Sequence, residues 1–196
     1  GDADVRATAR SRGFASVVTL TAAQGTVDFE LPVPGRHNVR NAVAAAAACL
    51  AAGASLGTVA EALSRYEGIK GRLQRRTGLN GALVVDDTYN ANPDSMRAAI
   101  DVLAGVPGRR ILVMGDMGET GEAAGQFHDE IGGYAKSAGI DRLLALGDLS
   151  ATAVRNFGAG AEHFRKPEEL VKALVAGLGP DTTVLVKGSR FMRMER

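Results

Sequence analysis

The sequence has 196 residues, 45% of them hydrophobic, and a formal net charge of +1. That length suits one or two domains and that apolar share builds a core, which excludes bulk disorder and a fibre. The balanced charge gives no basis for a nucleic-acid or membrane-surface partner, and the longest apolar run, residues 42–52, is too short to span a bilayer.

Residues 5–9 and 17–20 read as strands, separated by turns at Arg12-Gly13 and Gln24-Gly25. Residues 26–33 alternate strictly. Val27, Phe29, Leu31 and Val33 share one side, and Thr26, Asp28, Glu30 and Pro32 share the other, the pattern of a strand with one covered face. Pro34-Gly35 ends this sheet. Residues 38–52 are alanine-rich and predict a helix stopped by Gly53. Ser55 reads as the N-cap of a second helix ending near Arg65. Cys49, the single cysteine, is expected as a small buried residue. One cysteine allows no intrachain disulfide, which suits a reducing, cytoplasmic setting, and no charged-then-apolar leader opens at Gly1. Residues 66–80 are polar and glycine-punctuated, and they read as a seam between domains spanning 1–76 and 77–196.

Beyond the seam the rhythm changes to strand-then-helix. Strands are predicted at 83–86, 110–114, 142–146, 162–164 and 182–186. Helices are predicted at 93–103, 123–137, 149–156 and 167–176. This repetition argues for an α/β fold with a parallel sheet covered on both faces, in which ligands bind at the carboxyl ends of the strands. Three of those ends carry chemistry: Asp86 to Asn92, Gly115 to Gly121, and Lys187-Gly188-Ser189-Arg190.

Each motif has a functional and a plain structural reading. Asn38 and Asn41 share the first turn of a helix; their amides suit an adenine edge or a polarised water, or Asn38 is an ordinary N-cap. Arg72, beside Gly71, presents a fork that matches phosphate oxygens, or belongs to a solvated linker. Asp86 and Asp87 suit ribose hydroxyls or a metal-bound water, or one of them caps a turn. Gly115 to Gly121 suits a loop closing over an amine, or a surface loop. Lys187, Ser189 and Arg190 together suit a carboxylate, or form a basic tail. His128 and His163 fit no metal spacing and read as surface residues, so no metal ligand is expected. Neither Gly-x-x-x-x-Gly-Lys-[Ser/Thr] nor Gly-x-Gly-x-x-Gly occurs, so neither a P-loop nor a dinucleotide fingerprint is present.

Taken in order, Gly35 to Asn41, Gly71-Arg72-Leu73-Gln74, Asp86 to Ser95, Gly115 to Glu119 and Lys187 to Met192 resemble the motifs of the Mur ligase family of bacterial cell-wall synthesis. Within it they are similar to the branch that joins D-alanyl-D-alanine to UDP-N-acetylmuramoyl-tripeptide. The resemblance implies that residues 1–76 are the last part of a central ATP-binding domain and that 77–196 are a Rossmann-like, mostly parallel C-terminal domain. It implies ATP and Mg2+ as cofactors, with the P-loop and the magnesium ligands lying upstream. By motif, Asn38, Asn41, Arg72 and Asp87, with Asp86 as substitute, are expected at the nucleotide. Arg72 and Asp87 are expected to serve catalysis, and Asn90, Asn92, Lys187, Ser189 and Arg190 to line the dipeptide site. The reaction implied is amide formation through an acyl phosphate, which these 196 residues are not expected to complete alone. Other readings are a related amide ligase, such as a folylpolyglutamate synthetase, and a non-catalytic module binding amino acids or peptides. The strands before Pro34 are expected to need a larger sheet, so self-association through an apolar face or an unpaired edge is expected.

Overall fold

A computed structural model describes residues 3–196. The chain divides into two compact units, one ending at Gly68 and the other spanning Ile69–Arg196.

In the first unit, β1 (Arg6–Arg12), β2 (Ala15–Ala22) and β3 (Gly25–Leu31) form an antiparallel meander. Alternation sends Val18, Leu20, Phe29 and Leu31 to one face. There they pack with Val33, with Ala42, Ala46 and Leu50 of α1 (Arg36–Ala51), and with Val59 of α2 (Leu56–Ser64). The buried α1 positions recur every fourth residue, one stripe of a helix. The opposite sheet face is polar across the strands: Arg12 pairs with Glu30 at 3.0 Å and Thr19 donates to Asp28 at 2.6 Å. Ser55 caps α2 by accepting from Thr58 N–H at 3.1 Å, as its sequence position predicts. Cys49 is exposed rather than buried. An unbroken alanine run carries no polar residue to mark which side faces water.

The second unit holds β4 (Gln74–Thr77), β5 (Leu83–Asp87), α3 (Pro93–Ala104), β6 (Arg109–Gly115), α4 (Ala124–Ser137), β7 (Arg142–Leu146), α5 (Ala151–Phe157), β8 (Ala161–Phe164), α6 (Pro167–Val175) and β9 (Thr182–Lys187). The sheet order is β4-β5-β9-β6-β7-β8, parallel except for β4, which runs against β5. The division after Gly68 falls inside the seam read at residues 66–80, eight residues before the boundary expected at 76. β4 is an edge strand of Gln74, Arg75, Arg76 and Thr77, and charge at a free edge hides the apolar alternation that marks an inner strand.

Handedness sets the layers. The steps β5 to β6, β6 to β7 and β7 to β8 run one way along the sheet, and β8 to β9 runs back. Right-handed crossovers then place α3, α4 and α5 on one face and α6 on the other. Packing agrees. Ile111, Val113, Leu144, Leu146 and Val184 cluster with Leu170 of α6. The alternate residues Leu112, Met114, Leu143, Ala145 and Leu185 are fully buried on the other side. The return crossover inserts β9 between β5 and β6, which brings together the carboxyl ends that carry the chemistry.

A Cβ on Gly132 of α4 would lie 2.1 Å from the Ala153 carbonyl oxygen of α5. Gly132→Ala is therefore expected to destabilise the second unit by about 1–3 kcal/mol, read as a lower urea midpoint. Both outer strands of the three-stranded sheet lack a second strand partner among the described residues. Association that grows with protein concentration is expected from residues 1–76, and sedimentation velocity showing a strict monomer would contradict it.

Candidate functional site at the strand ends

The ends of β5, β9 and β6 are joined by a network of buried polar groups. Asp87 lies opposite Lys187 in the register of two parallel strands, so their side chains share a face. Lys187 is 4% exposed and donates from Nζ to Asp87 Oδ2 at 2.6 Å and to the Asn90 carbonyl at 2.9 Å. Leu73 N–H donates to Asp87 Oδ1 at 3.1 Å. The Gly71 carbonyl accepts from Tyr89 N–H at 3.0 Å, and the Arg72 guanidinium stacks 4.4 Å from the Tyr89 ring centroid. Gly71 has φ +73, and a Cβ there would meet Tyr89 N at 3.2 Å, so this close approach requires glycine. Arg72 and Asp87 thus lie on two short segments that meet, Arg72 through the Tyr89 ring and Asp87 through Leu73 N–H, with Arg72 exposed and Asp87 buried.

Asp86 points to the other face of β5 and is held there. Its Oδ1 accepts from Thr88 N–H at 3.2 Å and Thr88 Oγ1 at 2.7 Å, and its Oδ2 pairs with Arg76 at 3.2 Å. This is the turn-capping alternative, with an ion pair added.

Ser189 is the joint between three segments. Its Oγ donates to the Ala91 carbonyl at 3.0 Å and accepts from Gly118 N–H at 2.7 Å, while its N–H donates to the Asp116 carbonyl at 3.0 Å. Asp116 is buried and accepts from Ser150 N–H at 2.8 Å, from the Ser150 hydroxyl, and from Leu149 N–H at 3.3 Å. Asn92 caps α3: its Oδ1 accepts from Ser95 N–H at 2.8 Å, and the Ser95 hydroxyl accepts from Asn92 N–H at 3.0 Å. Asn90 is exposed, with its Oδ1 accepting from Ala91 N–H at 2.9 Å. Exposed Arg190 pairs with Glu195 at 2.9 Å.

These groups border a cavity of about 650 Å³ lined by Asn90, Glu119, Ser189, Arg190 and Glu195, with Gly118 in its wall. It carries both signs of charge. Glu119 was not singled out in the sequence. Its signal is conformational: φ is +56, a left-handed value rare for glutamate and one that residue order does not announce. Asn38 and Asn41 lie in the first unit. Asn38 is not the N-cap; α1 starts earlier, at Arg36 after Gly35 with φ 95, and Asn38 Nδ2 donates to the Pro34 carbonyl at 2.7 Å. Asn41 is exposed.

His128 is fully buried, contrary to the surface reading. It accepts from Met117 N–H at Nε2 (2.8 Å), so Nδ1 carries the proton and donates to the Ala124 carbonyl at 2.6 Å. His163 is half-buried and bonded to the Gly147 carbonyl at 2.7 Å. Each histidine has one acidic and one aromatic neighbour in sequence, Asp129 and Phe127 for His128 and Glu162 and Phe164 for His163, a context that does not announce burial. The resolved pKa shifts lie away from the cavity. Asp141, just before β7, is held below the ordinary carboxylate range chiefly by the backbone N–H of Arg110. The Tyr134 phenol is pushed up by its hydrogen bond to the Asp101 carboxylate.

The profile of the family described as "Mur ligase, glutamate ligase domain" matches residues 71–190, more than half of the chain. UDP-N-acetylmuramoyl-tripeptide–D-alanyl-D-alanine ligase of Escherichia coli K12 is 43% identical over 179 residues, which is 90% of this chain and 39% of that protein. A crystal structure of MurF from Acinetobacter baumannii superposes with a TM-score of 0.91 at 35% identity, covering 99% of this chain and 44% of that one. MurF from Thermotoga maritima in complex with ADP gives 0.85 at 23% identity over 98% of this chain and 44% of that one, a likeness of fold. The chain thus spans about two fifths of the relatives it matches.

Removing the ammonium while leaving its carboxylate buried tests the network. Lys187→Met is expected to destabilise the protein by about 3–5 kcal/mol, because Asp87 loses its countercharge. Combining Lys187→Met with Asp87→Leu is expected to recover much of that loss in the same denaturation experiment.

Proposed function

The chain belongs to the Mur ligase family, and from that premise we propose that it is part of an ATP-dependent ligase that adds D-alanyl-D-alanine to UDP-N-acetylmuramoyl-tripeptide. The observation that carries this reading is the cavity of mixed charge at the ends of β5, β9 and β6. A zwitterionic dipeptide needs an anion near its ammonium and a cation near its carboxylate. Glu119 and Arg190 offer one of each.

The reaction has two displacements. A carboxylate oxygen of the tripeptide attacks the γ-phosphorus of ATP, and ADP leaves. The free amine of the dipeptide attacks the acyl carbon of the resulting acyl phosphate. The amide bond forms, phosphate departs, and the nitrogen releases its proton. Such chemistry is served by positioning and by stabilising phosphoryl charge. Arg72 is assigned to the phosphate oxygens, and the Asp87 carboxylate to the ribose side of the nucleotide while it anchors Lys187. Asn38 and Asn41 are assigned to the nucleotide, and Asn90 and Arg190 to the dipeptide. Lys187, Ser189 and Asn92 are assigned to building the dipeptide site, since their polar groups engage the protein itself. Among the described residues no cluster of three His, Cys, Asp or Glu side chains is placed to hold a metal, so no step is assigned here to the Mg2+ that accompanies ATP. Nor is any helix among them long and apolar enough to cross a membrane. A cytoplasmic setting, where nucleotide-linked precursors are made, suits the proposal.

A full-length enzyme carrying this chain is expected to release phosphate only when ATP, the UDP-linked tripeptide and D-alanyl-D-alanine are all present. Preference for glutamate as the amine would favour the folylpolyglutamate alternative. These 196 residues contain no P-loop motif and are expected to show no turnover alone, and sustained phosphate release by them would overturn that division of labour. Arg72→Ala in the full-length enzyme is expected to lower kcat by about 10²–10³, the scale for losing a group that stabilises transition-state charge.

A further inference from the structure

The segment from Asp116 to Thr120 is tied down at Asp116, Met117 and Gly118. The Asp116 carboxylate is held by the start of α5, and its carbonyl by Ser189 N–H. The Met117 side chain is fully buried, and its carbonyl accepts from the Thr120 hydroxyl at 3.3 Å. Gly118 N–H is given to Ser189 Oγ. Met117 N–H goes to Nε2 of His128 at 2.8 Å.

His128 is well placed to be a fixed acceptor. It sits on α4 one turn before Gly132, which packs against Ala153 of α5, and no part of it reaches solvent. Its proton is committed at Nδ1 to the carbonyl of Ala124, so the ring keeps a lone pair at Nε2. The next exposed residue beyond that bond is Glu119, at φ +56 in the cavity wall. A glutamate holds such a backbone conformation only when its neighbours over-determine it. His128 cannot meet a ligand, yet it fixes the backbone that presents one.

We propose that His128 is a positioning residue for the amine substrate, acting through Met117 N–H to hold Glu119 in the cavity. This rests on the ligase reading above. The bond predicts a division between two amides. His128→Gln keeps an oxygen acceptor near the Nε2 position. His128→Asn keeps a donor toward Ala124 but is too short to accept from Met117.

The test is steady-state kinetics of a full-length enzyme carrying this chain. With His128→Asn, KM for D-alanyl-D-alanine is expected to rise about tenfold, the scale of one lost hydrogen bond, with KM for ATP unchanged. With His128→Gln it is expected to stay within about threefold of the parent. An unchanged dipeptide KM in His128→Asn would overturn the proposal. So would an equal rise in both variants, or a joint rise in the KM for ATP, because each would mean general loosening. A measurement without substitution covers the case in which the asparagine variant fails to fold. The ¹⁵N resonance of His128 Nε2 in the parent enzyme is expected to shift on saturation with D-alanyl-D-alanine, although the ring is out of reach of the ligand. A stationary resonance would overturn the proposal. Failure of the parent enzyme to make the amide at all would instead count against the ligase reading, so the two failures are distinguishable.

Discussion

An ammonium group taken out of water must find its countercharge before its strand can dock, and Lys187 imposes that condition on the second unit. At 4% exposure its desolvation costs several kcal/mol, offset by Asp87 Oδ2 and the Asn90 carbonyl. The pair also specifies register. Neighbouring residues on parallel strands share a face, and Asp87 lies opposite Lys187. A slip of one residue would turn Lys187 to the opposite face, beside Asp86, whose carboxylate is already engaged by Arg76 and Thr88. The ion pair therefore admits one alignment of β9 on β5. Because β9 also pairs with β6, that alignment sets the relative height of all three strand ends.

From there the polar contacts run without a break. Ser189 ties the segment after β5 to the segment after β6, and Asp116 passes the connection to the start of α5. The network separates two kinds of residue that motif reading had grouped together. Lys187, Ser189, Asp86 and Asp116 are buried, and their polar atoms are engaged by the protein. Arg72, Asn90, Glu119 and Arg190 are exposed around the same ends. The buried set supplies rigidity, and the exposed set is left facing solvent. A loop pinned at Met117 and Gly118 is not a free lid, and under the proposed ligase reading selectivity for the amine would come from a wall that stands ready before the ligand arrives.

Much of the fold was legible because period and composition report on burial. The strict alternation of residues 26–33 marked the covered face of β3, and the apolar runs at 142–146 and 182–186 marked inner parallel strands. What stayed hidden has physical causes. β4 is a charged edge, so it carries no alternation. Cys49 lies in an alanine run whose two sides look alike. His128 is followed at once by Asp129 and Glu130, and the neighbours of a helical residue point elsewhere, so a buried histidine can stand among charges. At the site, the sequence placed the right segments at the strand ends. It could not say which side chains turn inward, because that depends on partners as distant as Asp87 and Lys187, one hundred positions apart.

Lys187-Gly188-Ser189-Arg190 shows why such a run resists a simple reading as a carboxylate-binding set. The residues occupy the last step of a strand and its exit, so successive side chains meet different surroundings. Lys187 lies buried beside Asp87. Gly188 faces Gly115 across the sheet, where a Cβ would lie 3.1 Å from the Gly115 Cα and 2.7 Å from Met194 Cγ. Ser189 turns inward to join two segments, and only Arg190 emerges. A cation, a gap, a two-way hydroxyl and a second cation are each required by a different neighbour. Arg190 is thus the one exposed residue of the run, and the other three residues determine where that guanidinium stands relative to Glu119 and Asn90.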